Sequence, residues 1–307
     1  MEILFNNEKK IGLSLALGFF DGIHLGHKKV IENAVKYAKE NGLKSAVISF
    51  SDHPSCFLLN RKPQYILPLK DKIKKIEELG IDYLYLLNFN KEFSQMSKEE
   101  YFNFLVKTTS PKAITTGFNH FFGKNKEGNT EFLKEICEKN NIKYEKISPV
   151  TINNEPVSSS KIRKALIQAD FKTPKSMLGY DFYIKGIIVK GQQIGEKLGY
   201  KTININYPEN IIKIPYGVYC TLCKINDKLY KSITNWGVKP TFGEGNSPVI
   251  ETHIFNFNEN IYNENAEIIF YEKIRDEKKF DTPDELKAQI KKDVEFCLYY
   301  KDYPLVK

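Results

Sequence analysis

Two histidines, His24 and His27, follow an apolar run at a point where the chain turns into a helix. Asp21 and Gly22 provide the turn signal, and helical spacing begins near Leu25. A helix start offers free N–H groups and the positive end of the helix dipole, so it attracts anions. Two imidazolium groups at this point could neutralise charge that develops on a transferring phosphoryl group. The alternative is that the two histidines only cap the turn.

Two later segments carry polar side chains of the same kind. Asn119 and His120 come directly after a candidate strand, and three serines precede Arg163 at a helix start in "VSSSKIRKAL". Serines in this position often serve only as helix caps. Arginine is scarce, however, with three among 46 basic residues, and a guanidinium can bind phosphate through two parallel hydrogen bonds. These groups indicate a nucleotide triphosphate site without a P-loop, since the G-x-x-x-x-G-K-[ST] pattern is absent.

The second half has a glycine-punctuated loop between two candidate strands, "KGQQIGEKLGYKTININ". Gly191, Gly195 and Gly199 would let the backbone approach a ligand closely, although an ordinary hairpin with a long loop has the same pattern. Thr202 and Asn204 alternate along the following strand and therefore share a face. Their oxygen atoms are suitable ligands for Mg²⁺ beside a phosphate.

Glu251 is an acid within the apolar run "VIETHIF". Alternation places it on the same face as His253 and Phe255. An acid in such a strand is either a surface residue or a general base held in place by its surroundings. The pattern leaves both interpretations open.

Strands alternate with helices from the N-terminus to about residue 170, which predicts a doubly wound parallel sheet. Ligands of such sheets bind at the carboxyl ends of the strands, where the histidine segment and the Asn119 segment lie. We expect strands over Leu13–Phe20, Lys44–Phe50, Asp82–Phe89, Lys112–Gly117 and Lys143–Ile147. We expect helices over Leu25–Glu40, Lys70–Leu79, Ser97–Val106, Thr130–Lys139 and Ser159–Gln168.

From Tyr183 onward the chain has six short β-rich runs separated by turn signals. This spacing predicts an antiparallel sandwich or barrel. A closing helix follows over Thr282–Tyr300, with Thr282 as its N-cap. The segment Lys172–Gly179 is the expected junction, giving domains over 1–174 and 175–307.

Composition narrows the class of protein. The 307 residues carry a net charge of +8, but the basic residues are dispersed and not interleaved with aromatics as in a nucleic-acid-binding stripe. No run approaches the roughly 18 apolar residues of a membrane span, and the N-terminus lacks the order of a signal peptide. Five scattered cysteines predict reduced thiols in the cytoplasm. Within Cys220-x-x-Cys223 the side chains would point to opposite faces of a strand, which disfavours zinc.

The first half resembles the bacterial FAD synthetases, a branch of the HxGH nucleotidyltransferases with a Rossmann-like α/β domain. "GFFDGIHLGH" is similar to the first family motif, and "FSDHPS" to F-x-P-H-P with Asp52 in place of proline. "GFNHFFGKNKEGN" is similar to the third motif, and "SSSKIR" to S-S-T-x-I-R with Ser160 in place of threonine. The resemblance implies transfer of AMP from ATP to FMN, which yields FAD and pyrophosphate.

The same resemblance implies roles for individual residues. His24 and His27 would stabilise the α-phosphate, and Asn119 would help to hold the flavin phosphate and nucleotide region. The remaining residues of this site that would contact nucleotide are Gly18, Phe20, Asp21, Gly22, Ser159, Ser160 and Arg163.

The second half resembles riboflavin kinase, an antiparallel β-barrel domain with a closing helix. The similar segments are the glycine loop from Gly191 to Tyr200, "GVYC", "NWGVKPTF" and "ETH". The family signature P-T-A-N appears as "KTIN", with Lys201 and Ile203 as departures, and Glu196 stands where arginine is frequent.

The kinase resemblance implies that Glu251 takes the proton from the riboflavin 5′-hydroxyl, which attacks the γ-phosphate of MgATP. Thr202 and Asn204 would bind the Mg²⁺ ion, and the loop glycines Gly191, Gly195 and Gly199, together with Asn235, would bind substrate or nucleotide.

Together the two resemblances predict a bifunctional cytoplasmic enzyme that acts on riboflavin, FMN and ATP, forms FAD and requires Mg²⁺. It would have neither a nucleic-acid nor a membrane partner, and the sequence does not indicate its oligomeric state. One alternative is an adenylyltransferase whose kinase domain is weakened by "KTIN". A second is a flavin- or RNA-binding protein without turnover.

Overall fold

The computed structural model describes residues 1–5, 8–60, 64–191, 199–238, 248–259 and 261–303. The chain divides into two compact units, Met1–Lys161 and Ile162–Lys307. The first unit is built on a parallel sheet covered by helices, and the second on a closed antiparallel barrel. Both architectures are the ones that the sequence predicts.

The sheet of the first unit has strand order β1-β4-β3-β2-β5-β6, and every neighbouring pair is parallel. All residues of β2 are buried, as expected for a strand covered on both faces. The strands are β1 (Glu2–Leu4), β2 (Leu13–Leu17), β3 (Lys44–Phe50), β4 (Tyr83–Leu87), β5 (Ala113–Gly117) and β6 (Lys143–Ile147). A small hairpin follows, with β7 (Thr151–Ile152) and β8 (Glu155–Pro156).

Helices cover both faces of this sheet. They are α1 (Leu25–Glu40), α2 (Pro54–Leu59), α3 (Leu69–Glu78), α4 (Lys91–Gln95), α5 (Lys98–Thr109) and α6 (Thr130–Lys139), and α7 (Ser159–Ile167) follows the hairpin. One apolar core includes Ile31 of α1 and Ile76 of α3, and the other includes Leu105 of α5 and Leu133 of α6. A capping box begins α5, with Ser97 as its N-cap.

The strand order creates a crevice at one edge of the sheet. The chain runs outward from β2 through β3 to β4, and then returns to the other side of β2 to form β5. The connections that leave β2 and β5 therefore diverge at the carboxyl ends of the strands. Such a switch point is where doubly wound sheets bind their ligands.

The second unit is a closed barrel in which every strand pair is antiparallel. Around the barrel the strand order is β10-β13-β12-β11-β14-β9. The strands are β9 (Tyr183–Val189), β10 (Thr202–Asn206), β11 (Gly217–Ile225), β12 (Lys228–Val238), β13 (Pro248–Ile254) and β14 (Asn265–Arg275). Helix α8 (Lys172–Leu178) precedes the barrel, and α9 (Pro283–Leu298) follows it. The two units divide between Lys161 and Ile162, before the predicted junction segment Lys172–Gly179.

The two faces of the barrel wall differ in chemistry. Thr221, Ser232, Thr234 and Thr252 are fully buried, and three hydrogen bonds of 2.8 Å join their hydroxyls into one row. The opposite face of β11 and β12 packs against Cys297 of α9. Because α9 lies outside the wall, the hydroxyl row faces the barrel interior.

A buried ion pair attaches α9 to the barrel. Arg275 of β14 donates from Nε and Nη2 to Oδ2 of Asp293 at 2.9 and 2.8 Å. Gln289 donates to Oδ1 of the same carboxylate at 2.8 Å. Asp293 is buried, so these hydrogen bonds replace those it would make with water.

Replacement of this carboxylate should destabilise the second unit. We expect Asp293→Asn to lower the free energy of unfolding by about 2–3 kcal/mol, because it leaves the Arg275 guanidinium without its counter-charge. Urea unfolding of the full chain measures the change, and Asp281→Asn, at an exposed position, serves as the control. Equal stability of the two variants would show that the ion pair contributes nothing.

The structure corrects the expectation that all five cysteines are reduced. Cys220 of β11 and Cys297 of α9 form a disulfide, with Cα atoms 5.2 Å apart. Cys56, Cys137 and Cys223 are free thiols. Cys220 and Cys223 point to opposite faces of β11, as expected. Among the described residues no group of three or more His, Cys, Asp or Glu side chains could hold a metal ion.

Candidate active sites

The loop that leaves β2 has an unusual backbone. Phe20 and Ile23 adopt φ values of 59° and 40°, and Gly22 adopts 78°. Left-handed conformations at non-glycine residues cost about 1–3 kcal/mol each and concentrate at functional sites. The Asp21 carboxylate secures the loop by accepting hydrogen bonds from the Ile66 N–H at 3.1 and 3.2 Å.

Gly18 allows this loop to fold back on itself. A Cβ atom at position 18 would lie 2.8 Å from the Phe20 ring, so only glycine fits. The Phe20 ring in turn contacts the His27 ring edge to face, with centroids 5.3 Å apart. The loop thus packs against the histidine pair through the Phe20 ring.

His24 both caps α1 and presents a proton donor. Its Nδ1 accepts a hydrogen bond from the His27 N–H at 3.2 Å, so in the neutral ring the proton is on Nε2. The two imidazoles stack with centroids 3.4 Å apart. Burial lowers the pKa of His24 to about 4. Burial therefore favours the neutral imidazole, whose Nε2–H is a hydrogen-bond donor, over the imidazolium that the sequence suggests.

The serine segment meets the histidine loop. Ser159 Oγ donates to the backbone carbonyl of Asp21 at 3.1 Å, and Ser158 Oγ accepts from the Lys161 N–H at 3.3 Å, as an N-terminal cap does. Ser160 is exposed in the first turn of α7. Arg163 lies one turn after Ser159 and Ser160 on the same helix, as the sequence predicts.

The Asn119 segment follows β5, the strand next to β2. Asn119 is exposed directly after β5, and its carboxamide lies beside Gly117. A turn in which the His120 N–H donates to the Gly117 carbonyl at 3.3 Å shapes this segment. Because β2 and β5 are adjacent strands, Asn119 and His24 follow neighbouring strand ends at the switch point. The fold thus places these two predicted segments at one edge.

The candidate residues of the second half form a row across three strands of the barrel. In the strand register Glu251 is directly opposite Asn204 on one side and Asn235 on the other. Thr202 Oγ1 donates to Glu251 Oε1 at 2.8 Å, which orients the carboxylate. Asn204 is buried, and a Cβ at Gly191 would overlap its carboxamide. Four predicted residues thus share the outer face of the wall, and Gly191 packs against one of them.

The residues that precede Thr202 are held by His253. His253 Nδ1 donates to the Lys201 carbonyl at 2.7 Å, and burial lowers the pKa of His253. The Tyr200 ring lies edge to face on the same imidazole, with centroids 5.3 Å apart. Gly199 has a φ of 88°, which favours glycine in this turn. Gly195 and Glu196 lie outside the described residues.

The donor set beside Glu251 fits a magnesium ion. Thr202 supplies a hydroxyl oxygen and Asn204 an amide oxygen, and both are hard ligands. Few protein ligands suffice, because Mg²⁺ in such sites also binds phosphate oxygens and water.

Comparisons with known proteins match both halves of the chain. Residues 6–161 match the family model described as FAD synthetase, and residues 178–300 match the model described as riboflavin kinase. A bifunctional riboflavin kinase/FMN adenylyltransferase of Buchnera aphidicola subsp. Schizaphis graminum is 38% identical over 303 residues, 96% of either chain. The chain belongs to the bifunctional riboflavin kinase/FMN adenylyltransferase family. The Bacillus subtilis protein of this family is 35% identical and covers 93% of this chain and 92% of its own.

One solved structure has the same fold over nearly the whole chain. It is described as a macrolide-efflux protein from Streptococcus pneumoniae, with a TM-score of 0.86 and 28% identity, and the match covers 98% of this chain and 100% of that one. Among the described residues of the present family member, no helix has the length and apolar character needed to cross a bilayer.

The structure also shows a buried cation near the candidate site of the first unit that belongs to none of the sequence motifs. Lys72 of α3 is buried, with an exposed fraction of 3%, and contacts the ends of β2 and β3. Helical spacing offered a signal, since Lys72 occupies the same face as Leu69 and Ile76 in an amphipathic helix. A lysine on the apolar face of a helix is unusual enough to mark the position.

Proposed function

We propose that this chain is a riboflavin kinase and FMN adenylyltransferase. The observation that carries the proposal is the match of two family models to separate parts of one chain. Residues 175–307 would phosphorylate riboflavin to FMN, and residues 1–174 would adenylylate FMN to FAD. A cytoplasmic location, where ATP is abundant, is part of the proposal.

In the adenylyl transfer, an FMN phosphate oxygen bonds to the α-phosphorus of ATP, and the bond to the β-phosphate oxygen breaks to release pyrophosphate. His24 donates from Nε2–H to an α-phosphate oxygen, and His27 and the start of α1 stabilise the same developing charge. Ser160 and Arg163 bind the other ATP phosphates. The Ser159 hydroxyl supports this arrangement by holding the Asp21 carbonyl.

In the kinase step, Glu251 accepts the proton of the riboflavin 5′-hydroxyl while that oxygen bonds to the γ-phosphorus, and ADP leaves. The Thr202 hydroxyl keeps the carboxylate oriented before substrate binds. Mg²⁺, with Thr202 and Asn204 as its protein ligands, would neutralise the ATP phosphates.

The two departures in "KTIN" are compatible with a working kinase. Position 201 contributes its backbone carbonyl to His253, so the missing proline removes no side-chain contact. Ile203 is buried on the interior face and leaves Thr202 and Asn204 on the outer one. These contacts favour two activities over an adenylyltransferase alone.

Chromatography of products formed from riboflavin, ATP and Mg²⁺ tests the proposal. We expect FMN to appear first and FAD to follow, and we expect a variant lacking both His24 and His27 to accumulate FMN. If FAD forms only from supplied FMN, the chain has adenylyltransferase activity without kinase activity. Flavin binding without pyrophosphate or ADP release would indicate a binding protein instead.

Substitution of Arg163 tests the assignment of the ATP phosphates. We expect Arg163→Lys to raise the KM for ATP in FAD formation about tenfold, because an ammonium cannot replace the two-pronged guanidinium contact. The KM for ATP in FMN formation, measured on the same preparation, should stay constant. An unchanged KM in both reactions would remove Arg163 from the nucleotide site.

A further inference from the structure

Lys72 forms hydrogen bonds with both the loop after β2 and the end of β3. Its Nζ donates to the Phe19 carbonyl at 3.2 Å, to the Phe50 carbonyl at 3.1 Å and to Ser49 Oγ at 3.3 Å. Ser49 Oγ in turn donates to the Phe19 carbonyl at 3.0 Å. All three protons of the ammonium are therefore used, and they tie the loop after β2 to the end of β3.

The same ammonium supports the segment that contains His53. It lies 4.2 Å from the centroid of the Phe19 ring, which contacts the His53 ring edge to face at 4.6 Å. On the other side, the Tyr65 hydroxyl accepts from the His53 N–H at 2.9 Å and donates to Asp52 at 3.2 Å. His53 is thus held through its ring and through its backbone.

We propose that Lys72 is a positioning residue for FAD formation. Its buried ammonium fixes the loop after β2, which contains Phe19, relative to the segment after β3, which contains His53. This inference rests on the proposed adenylyltransferase activity. Lys72 lies behind the loop that leads to His24 and acts through the Phe19 and Phe50 carbonyls.

Because Lys72 can lose its charge, the rate of FAD formation should depend on pH. Burial lowers its pKa to about 8 from an ordinary value of 10.5, and the carboxylates of Asp21 and Asp52 oppose that shift. Among the described residues, titratable groups on the elements packed around it include His53, Cys56, Asp71 and Tyr65, and burial raises the pKa of Tyr65 well above its usual range. Loss of the Lys72 proton removes one donor from the cluster, so FAD formation should decline as the pH rises through about 8.

Stability changes in the opposite direction over this range. Between about pH 8 and 10.5 the unfolded chain binds more protons at this lysine than the folded chain, so its contribution to the free energy of unfolding rises with pH. A fall in activity without a fall in stability therefore separates positioning from unfolding.

The test compares Lys72→Met with Lys74→Met, an exposed neighbour on α3, in the full-length protein. We expect kcat for FAD formation from FMN to fall about 10- to 100-fold in Lys72→Met, as a displacement of about 1 Å can cause. Riboflavin phosphorylation should not change in either variant. The decline of FAD formation above pH 8 should be present in the wild type and Lys74→Met and absent from Lys72→Met.

Histidine NMR gives a readout that does not depend on activity. The chain has five histidines, and we expect Lys72→Met to shift the His53 ring resonances and leave those of His253 in place. If the wild type makes no FAD but Lys72→Met shifts the His53 resonances, the proposed activity is wrong, and Lys72 only holds the His53 segment in place. Unchanged His53 resonances together with unchanged kcat, or an equal loss of both activities, would overturn the role of Lys72.

Discussion

Glu251→Gln is expected to abolish FMN formation while FAD formation from supplied FMN continues at the wild-type rate. A general base contributes about 10²- to 10⁴-fold to a rate, and an amide cannot accept the proton. Glutamine has the size of glutamate and can still accept the hydrogen bond from Thr202, so the strand should remain in place. The rate of FMN formation should therefore fall by about that factor.

Product analysis with each substrate supplied separately checks this result. Glu295→Gln, on the exposed side of α9, is the matched control and should leave both reactions intact. Equal losses in FMN and FAD formation would contradict separate sites. A wild-type rate of FMN formation in Glu251→Gln would show that Glu251 is only a surface residue, the other interpretation that its sequence pattern allows.

His27→Ala is expected to lower kcat for FAD formation by about 10²- to 10³-fold, the range found when one donor to a developing negative charge is removed. FMN formation should be unaffected. Single-turnover FAD formation measures the effect, and Lys29→Ala, exposed on the same helix, is the control. A change confined to the melting temperature would show that the histidine pair only stabilises the turn.

His24 needs a different substitution, because it also caps α1. Asparagine is among the best N-cap residues and keeps an acceptor for the His27 N–H. His24→Asn should therefore retain the thermal stability of the first unit and still lose FAD formation to a similar extent as His27→Ala. Retained activity would mean that the cap is the whole contribution of His24.

Much of the fold was predictable where pattern and end signals agreed. The predicted and observed bounds of α1 are the same, Leu25–Glu40, since a turn signal precedes the helix and Asn41-Gly42 ends it. Helices α2 and α4 were missed because five or six residues are too short to show periodicity. The Cys220–Cys297 disulfide was missed because their separation of 77 residues gives no sign that β11 and α9 pack together.

The motifs predicted which segments form the candidate sites, but not the state of their side chains. The neutral form of His24 depends on burial, which only the packed loop reveals. The hydrogen bond from Thr202 to Glu251 is likewise a product of strand register, because the two residues are not directly opposite in the sheet. Lys72 lay outside every motif, and its role depends on carbonyls whose direction a sequence pattern does not give.

Closure of the barrel restricts how its sequence can diverge. Each strand is held by two neighbours, and along β13 Glu251 faces outward while Thr252 joins the interior hydroxyl row. Insertion of one residue before Glu251 would exchange these two faces, placing the Glu251 carboxylate in the interior and Thr252 on the outer face. A change of length is therefore expected to be tolerated in the connecting loops better than in β13, where it would move the Glu251 side chain to the other face.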